Sequence, residues 1–133
     1  MKMDKLVKAG KIVIVILLIA ISMFVLWLSL LSRVFGRGYY DDLKLTSPDE
    51  RYTLIIREWC AGFGGGAEIY VSKDGFRKTK LGDIATDDCC HPFHSGEYIV
   101  EWEENAVVLR FYSGRGGQTE DPETWETQRY ILS

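Results

Sequence analysis

The sequence predicts one N-terminal transmembrane α-helix followed by a small all-β domain, an antiparallel meander that forms a curled sheet or a small sandwich of about five to seven strands. Two observations predict this class: a long apolar run near the N-terminus, and short alternating segments after residue 42. The charge divides in the same way, although the whole chain of 133 residues carries only −3. Residues 1–38 hold six basic side chains and one acidic side chain, a net of +5, whereas residues 39–133 hold 10 basic and 18 acidic side chains, a net of −8.

The apolar run begins at Ile12 and ends at Leu31, and its 20 residues include no charge. A helix rises about 1.5 Å per residue, so the run is about 30 Å long, the thickness of the hydrocarbon core of a bilayer. A domain of about 95 residues is too small to surround a helix that is apolar on every side. We therefore predict a transmembrane helix at residues 12–32 that contacts the lipid bilayer, preceded by a Lys-rich N-terminus at residues 1–11.

Basic residues on the two flanks of the run predict its orientation. Four lysines precede the run, and Arg33 and Arg37 follow it. The side with more Lys and Arg usually faces the cytoplasm. The chain is thus expected in the cell membrane as a single-pass protein, with the N-terminus in the cytoplasm and the C-terminal domain outside. A cleaved signal sequence is the less favoured alternative, because the run exceeds the ~7–15 residues of a signal core and no A-x-A-like site follows it.

Residues 33–42 are predicted to be a juxtamembrane linker, and residues 43–133 the extracytoplasmic β domain. In residues 98–111, alternating apolar positions on either side of a turn at Glu104 and Asn105 predict a hairpin. Asp74 and Gly75 predict a second hairpin turn, because glycine accepts a positive φ at little cost. Further strands are predicted at residues 43–46, 52–60, 68–73, 78–81 and 128–132, with the Gly-rich residues 61–66 as a link.

A turn begins at Ser47, whose following Pro48 and Asp49 are typical turn residues, and the chain then enters a strand at Tyr52. This S-P-D-x-x-Y start, the strand at residues 67–71 and the later hairpin resemble one blade of the Tol-type propellers. One blade is too little for a closed propeller, which needs roughly four to eight. The layout also resembles a family of small, uncharacterised single-span membrane proteins from Gram-positive bacteria, in which Gly replaces Glu50. That resemblance implies a membrane location and a β domain, and it implies no catalytic residue.

Cysteine and histidine are concentrated in the short segment at residues 89–94. The side chains of this segment are of the types that bind zinc or copper. However, adjacent cysteines rarely reach one tetrahedral ion, and no C-x-x-C pair is present. A disulfide from Cys60 to either cysteine of the segment is the favoured alternative, and unpaired thiols are another. The candidate ligands for Zn or Cu are Cys60, Cys89, Cys90, His91 and His94.

Several functional classes lack their sequence signatures. The chain has no G-x-S-x-G, H-E-x-x-H or phosphate-binding glycine motif, so no catalytic or cofactor-binding residue is predicted. The acidic domain also lacks the basic footprint of a nucleic-acid-binding protein. We therefore expect a non-enzymatic module that binds an unknown protein or envelope component through strand edges or a patch around Trp59, Phe63 or Trp125. The alternative is a metal-binding or thiol-redox role of the segment at residues 89–94 with Cys60.

Overall fold

The computed structural model describes residues 1–87 and 89–133, which form two compact units, Met1–Gly36 and Arg37–Ser133. The first unit contains one helix, α1 (Lys2–Phe35), of 34 residues, none of them buried. Its most apolar 18-residue window has a mean hydropathy of 3.0, so α1 is long and apolar enough to cross a membrane. The helix extends beyond the predicted residues 12–32 at both ends. Residues 33–35, predicted as linker, are helical.

The serines of α1 bond to the helix itself. The Ser22 hydroxyl donates to the Leu18 carbonyl oxygen at 2.8 Å, and the Ser32 hydroxyl donates to the Ser29 carbonyl oxygen at 3.0 Å. Such bonds satisfy a hydroxyl group without a partner helix. These two serines therefore need no neighbouring helix.

The second unit consists of eight antiparallel strands in two sheets, with a one-turn helix α2 (Pro92–Ser95) and a 3₁₀ turn (Pro122–Thr124). The predicted fold class is confirmed, although the strands outnumber the expected five to seven because the two-residue β1 lies within the predicted linker. The strands are β1 (Gly38–Tyr39), β2 (Leu43–Thr46), β3 (Thr53–Ala61), β4 (Gly64–Ser72), β5 (Lys78–Asp87), β6 (Tyr98–Trp102), β7 (Ala106–Phe111) and β8 (Glu126–Ile131).

In the first sheet, β3 pairs with both β1 and β2 on one side and with β4 on the other, and β4 pairs with β5. The second sheet has the order β6, β7, β8. Tyr98 lies opposite Phe111 and Trp102 opposite Val107, so the predicted hairpin is present. Alternate residues of β7, Val107, Leu109 and Phe111, are fully buried, as the period-2 pattern predicts.

The two sheets share one hydrophobic core. Each sheet turns one set of alternate side chains inward, and the ring of Phe93 from α2 packs 5.5 Å from the ring of Phe111. Burial of this apolar surface is the main stabilising contribution to the fold. The buried core residues are Leu54, Ile56, Ala67, Ile69, Val71, Ile84, Phe93, Val107, Leu109, Phe111 and Leu132.

The predicted Gly-rich link is mostly strand, because β4 begins at Gly64 and pairs with β3 and β5 on either side. Glycine is required at Gly66. A Cβ there would overlap the carbonyl oxygen of Ile84 and lie 2.8 Å from the indole of Trp59. Gly66 thus leaves space for the Trp59 ring, a packing role that a Gly-rich sequence does not distinguish from that of a flexible link.

The turn before β3 follows the predicted chemistry. The Ser47 hydroxyl donates to the Asp49 carboxylate at 2.7 Å and accepts the Tyr52 N–H at 3.0 Å. The bond from Ser47 and those from Arg51 lower the pKa of Asp49 to about 2. Glu50 has a φ of 58°, the left-handed conformation that favours glycine. This is the position at which the S-P-D-G-x-Y pattern has Gly.

Candidate functional site

Cys60 near the end of β3 forms a disulfide with Cys89, and the two Cα atoms are 5.2 Å apart. This is one of the two pairings that the sequence left open. The bond joins β3 to the connection between β5 and α2. Cys90 lies outside the disulfide, with its sulfur so close to Gly114 that a side chain at that glycine would clash with it.

His91 and His94 lie close together and contact one tyrosine. The Tyr40 ring centroid lies 5.3 Å from that of His91 and 4.6 Å from that of His94, and the two imidazole centroids are 5.9 Å apart. Nδ1 of His91 lies 2.9 Å from the carbonyl oxygen of Cys89, and therefore carries the proton of that hydrogen bond. This aromatic cluster packs Tyr40, which directly follows β1, against α2.

The candidate ligands for zinc or copper do not form one ligand set. Cys60 and Cys89 are in the disulfide and so cannot supply thiolates. Within residues 1–87 and 89–133, no group of three or more His, Cys, Asp or Glu side chains is arranged to hold a metal ion. Among the five candidate ligands, the structure joins Cys60 to Cys89 and brings His91 and His94 together.

Glu58 is a buried acid that the sequence analysis did not single out. Only 2% of it is exposed, and its carboxylate accepts the backbone N–H groups of Phe93 at 3.1 Å and His94 at 2.8 Å. Burial raises the pKa of Glu58, against the opposing effect of those two hydrogen bonds. The signal was present in the sequence: Glu58 continues the inward alternation of Leu54 and Ile56 along β3.

An open cleft lies at one end of the second sheet. It has a volume of about 470 Å³, within the range of small-molecule and side-chain sites. Two aromatic rings and two carboxylates converge on it. The lining residues are Glu97, Tyr112, Thr119, Glu120 and Trp125.

Hydrogen bonds fix the loop that forms one wall of this cleft. The indole N–H of Trp125 donates to the carbonyl oxygen of Thr119 at 2.9 Å, which sets the orientation of the ring. The hydroxyl of Thr124 donates to the carbonyl oxygen of Asp121 at 2.7 Å and accepts the Thr119 N–H at 2.9 Å. The wall is thus held by its own side chains.

The surroundings of the cleft are strongly acidic. Glu97 and Glu120 line it, and residues 119–126 contain three further acidic side chains, Asp121, Glu123 and Glu126, and no basic one. Arg115 precedes this segment and is paired with Glu126 at 3.5 Å. Aromatic faces carry negative charge density, and carboxylates attract cations, so the cleft is chemically suited to a positively charged group.

The fold and the cleft define a class, a small two-sheet β domain that follows a helix able to span a membrane. Comparison of the chain with family models, curated proteins and solved structures finds no match. The resemblance to small single-span membrane proteins of Gram-positive bacteria stays a prediction from sequence motifs.

Proposed function

We propose that this chain is a non-enzymatic, membrane-anchored binding module whose β domain lies outside the cytoplasm. The length and apolarity of α1 and the four lysines before its apolar run support this location. The disulfide between Cys60 and Cys89 supports it independently, because disulfides persist in oxidising compartments and are rare in the cytosol.

The observation that carries the binding function is the cleft lined by Tyr112 and Trp125. The Trp125 ring, fixed by its bond to Thr119, lines the cleft with Tyr112, Glu97 and Glu120. Such a lining suits a primary or quaternary ammonium group, which gains cation–π attraction and an ion pair together. The ligand is therefore a cationic side chain or headgroup of a protein or envelope component, of which lysine is the simplest representative.

A titration of the full chain in phosphatidylcholine nanodiscs tests this function. The probes are a short peptide with one lysine and the same peptide with that lysine Nζ-acetylated. The indole ¹H–¹⁵N resonance of Trp125, assigned by its loss in Trp125→Phe, is expected to shift saturably with the first peptide only. Loss of one carboxylate, in Glu120→Gln, is expected to weaken the affinity about fivefold, which corresponds to about 1 kcal/mol.

Glu104→Gln is the matched control, because Glu104 lies beyond the far end of β6 and does not line the cleft. Its affinity for the lysine peptide is expected to equal that of the unchanged chain. Equal shifts with both peptides, or no shift with either, would contradict the proposed ligand. Equal weakening by Glu104→Gln and Glu120→Gln would show a general charge effect instead of a site.

A further inference from the structure

The connection between α1 and the β domain is very short. The helix ends at Phe35 and β1 begins at Gly38, so only Gly36 and Arg37 separate them. An extended residue spans at most about 3.3–3.6 Å, which keeps Gly38 within about 11 Å of the helix end along the chain. This limit follows from the covalent connection alone. One end of the β domain must therefore stay near the membrane surface if α1 spans the bilayer.

The strand register identifies which residues lie at that end. Gly38 pairs with Cys60 and Tyr39 pairs with Trp59, so β1 lies beside the last residues of β3. The turn between β3 and β4 follows directly and carries Phe63. We call the end formed by Arg37, Tyr39, Trp59 and Phe63 the membrane-facing end, because it is the end that would face the bilayer if α1 spans it.

These residues combine exposed aromatic rings with a basic side chain. Phe63 is 85% exposed and Tyr39 is 52% exposed. The guanidinium carbon of Arg37 lies 4.1 Å from the centroid of the half-buried Trp59 ring. Tyrosine and tryptophan favour the headgroup layer of a bilayer, where a ring contacts apolar chains and its polar atom contacts water, and arginine pairs with phosphate.

We propose that the membrane-facing end docks on the lipid headgroup layer of the bilayer that holds α1, with Trp59 and Phe63 in the interface and Arg37 at the lipid phosphates. This inference rests on the proposed membrane anchorage and is independent of the cleft's ligand. The nearby acid Asp42 is already paired with Arg57 at 3.0 Å, which limits repulsion from phosphate. Asp87, which lies opposite Gly64, is a further acid at this end. Because an acid repels anionic headgroups, we expect docking on zwitterionic lipid.

The test compares two exposed phenylalanines at opposite ends of β4. Phe63 precedes β4, and Phe76, which is 95% exposed, follows it. Nine residues of strand separate the two turns, a distance of about 30 Å. Nitroxide labels are attached to Phe63→Cys and to Phe76→Cys, each with Cys90→Ser, in the full chain in phosphatidylcholine nanodiscs.

We expect the label at residue 63 to be several-fold less accessible to a water-soluble nickel relaxant than the label at residue 76. Equal, water-like accessibility at both positions would overturn the docking proposal. Trp27, within α1, separates this failure from failure of the anchorage. Lipids brominated in the acyl chain quench the fluorescence of a tryptophan that is inserted in the bilayer. If they quench the fluorescence of the full chain more than that of Trp27→Phe, α1 is inserted and only docking is refuted. If Trp27 is not quenched, both proposals are refuted.

Discussion

The buried carboxylate of Glu58 accepts the backbone N–H of His94 at 2.8 Å, which ties the inward face of β3 to the single turn of α2. The second carboxylate oxygen accepts the N–H of Phe93 at 3.1 Å. Those N–H groups begin a helix and so lack partners within it. Because the ring of Phe93 is part of the core, Glu58 holds α2 in the position that the core packing needs.

Glu58→Gln is expected to destabilise the β domain by about 1–3 kcal/mol, because the amide nitrogen can only donate and would face one of the two backbone N–H donors, whereas both oxygens of the carboxyl group keep lone pairs when it is protonated. Burial raises the pKa of Glu58 above its usual 4.5. The folded protein therefore binds the proton of Glu58 more tightly than the unfolded chain does, and this protonation contributes to the stability of the unchanged protein. The contribution is present below pH 4.5 and is lost as the pH rises through the raised pKa. The stability gap between the two proteins should be larger at pH 4 than at pH 7, as measured by urea unfolding. A gap that widens with pH would contradict the assignment.

The disulfide between Cys60 and Cys89 closes a loop with a sequence separation of 29. Removal of this crosslink, in Cys60→Ala with Cys89→Ala, is expected to lower the free energy of unfolding by about 2–4 kcal/mol. Thiol counting on the denatured chain should give one thiol, Cys90, before reduction and all three cysteines after it. Three thiols without reductant would refute the bond. Cys90→Ser is the control, with retention of the disulfide and little change in stability.

Glu50 has a left-handed backbone, with a φ of 58°. A residue with a Cβ pays about 1 kcal/mol in this conformation, whereas glycine does not. Glu50→Gly is therefore expected to stabilise the domain by about 0.5–1 kcal/mol, visible as a rise in Tm. The same substitution at Glu104, in an ordinary turn, is the comparison. A fall in Tm for Glu50→Gly would mean that the turn is not strained at this residue.

Gly66 has no space for a side chain, because a Cβ would overlap the Ile84 carbonyl and the Trp59 ring. Gly66→Ala is expected to cost about 1–3 kcal/mol, the usual range for overpacking. Gly116→Ala is the matched control, since a Cβ there meets no atom within 4 Å. Chemical denaturation of both variants measures the difference. An equal effect of the two substitutions would refute the close packing of Trp59 on the sheet.

Features with a local cause were predictable from the sequence. The apolar run predicted α1, and the alternation of apolar and polar residues predicted the buried face of β7. Each of these patterns lies within one continuous segment. The turn at Ser47 was predictable for the same reason. Because Cys89 and Cys90 are adjacent, the sequence limited a disulfide of Cys60 to two pairings. The choice of Cys89 depends on how β3 meets the loop after β5.

Features made by distant segments were not predictable. The predicted hairpin already places Glu97 opposite Tyr112, but the sequence does not indicate that the loop carrying Thr119, Glu120 and Trp125 completes a cleft beside that pair. The glycines at residues 64–66 have the composition of a link, yet they form strand because they pair with β3 on one side and β5 on the other. The role of Glu58 became visible only when the position of α2 was known.

The most direct test of the account is the location of the β domain. A membrane-impermeant maleimide is applied to intact bacterial cells that express the full chain with Phe76→Cys and Cys90→Ser. Residue 76 is 95% exposed and lies at the turn between β4 and β5, so the thiol is open to solvent. The account predicts labelling of intact cells, equal to that after lysis. Labelling only after the membrane is broken would place the domain in the cytoplasm and contradict the account.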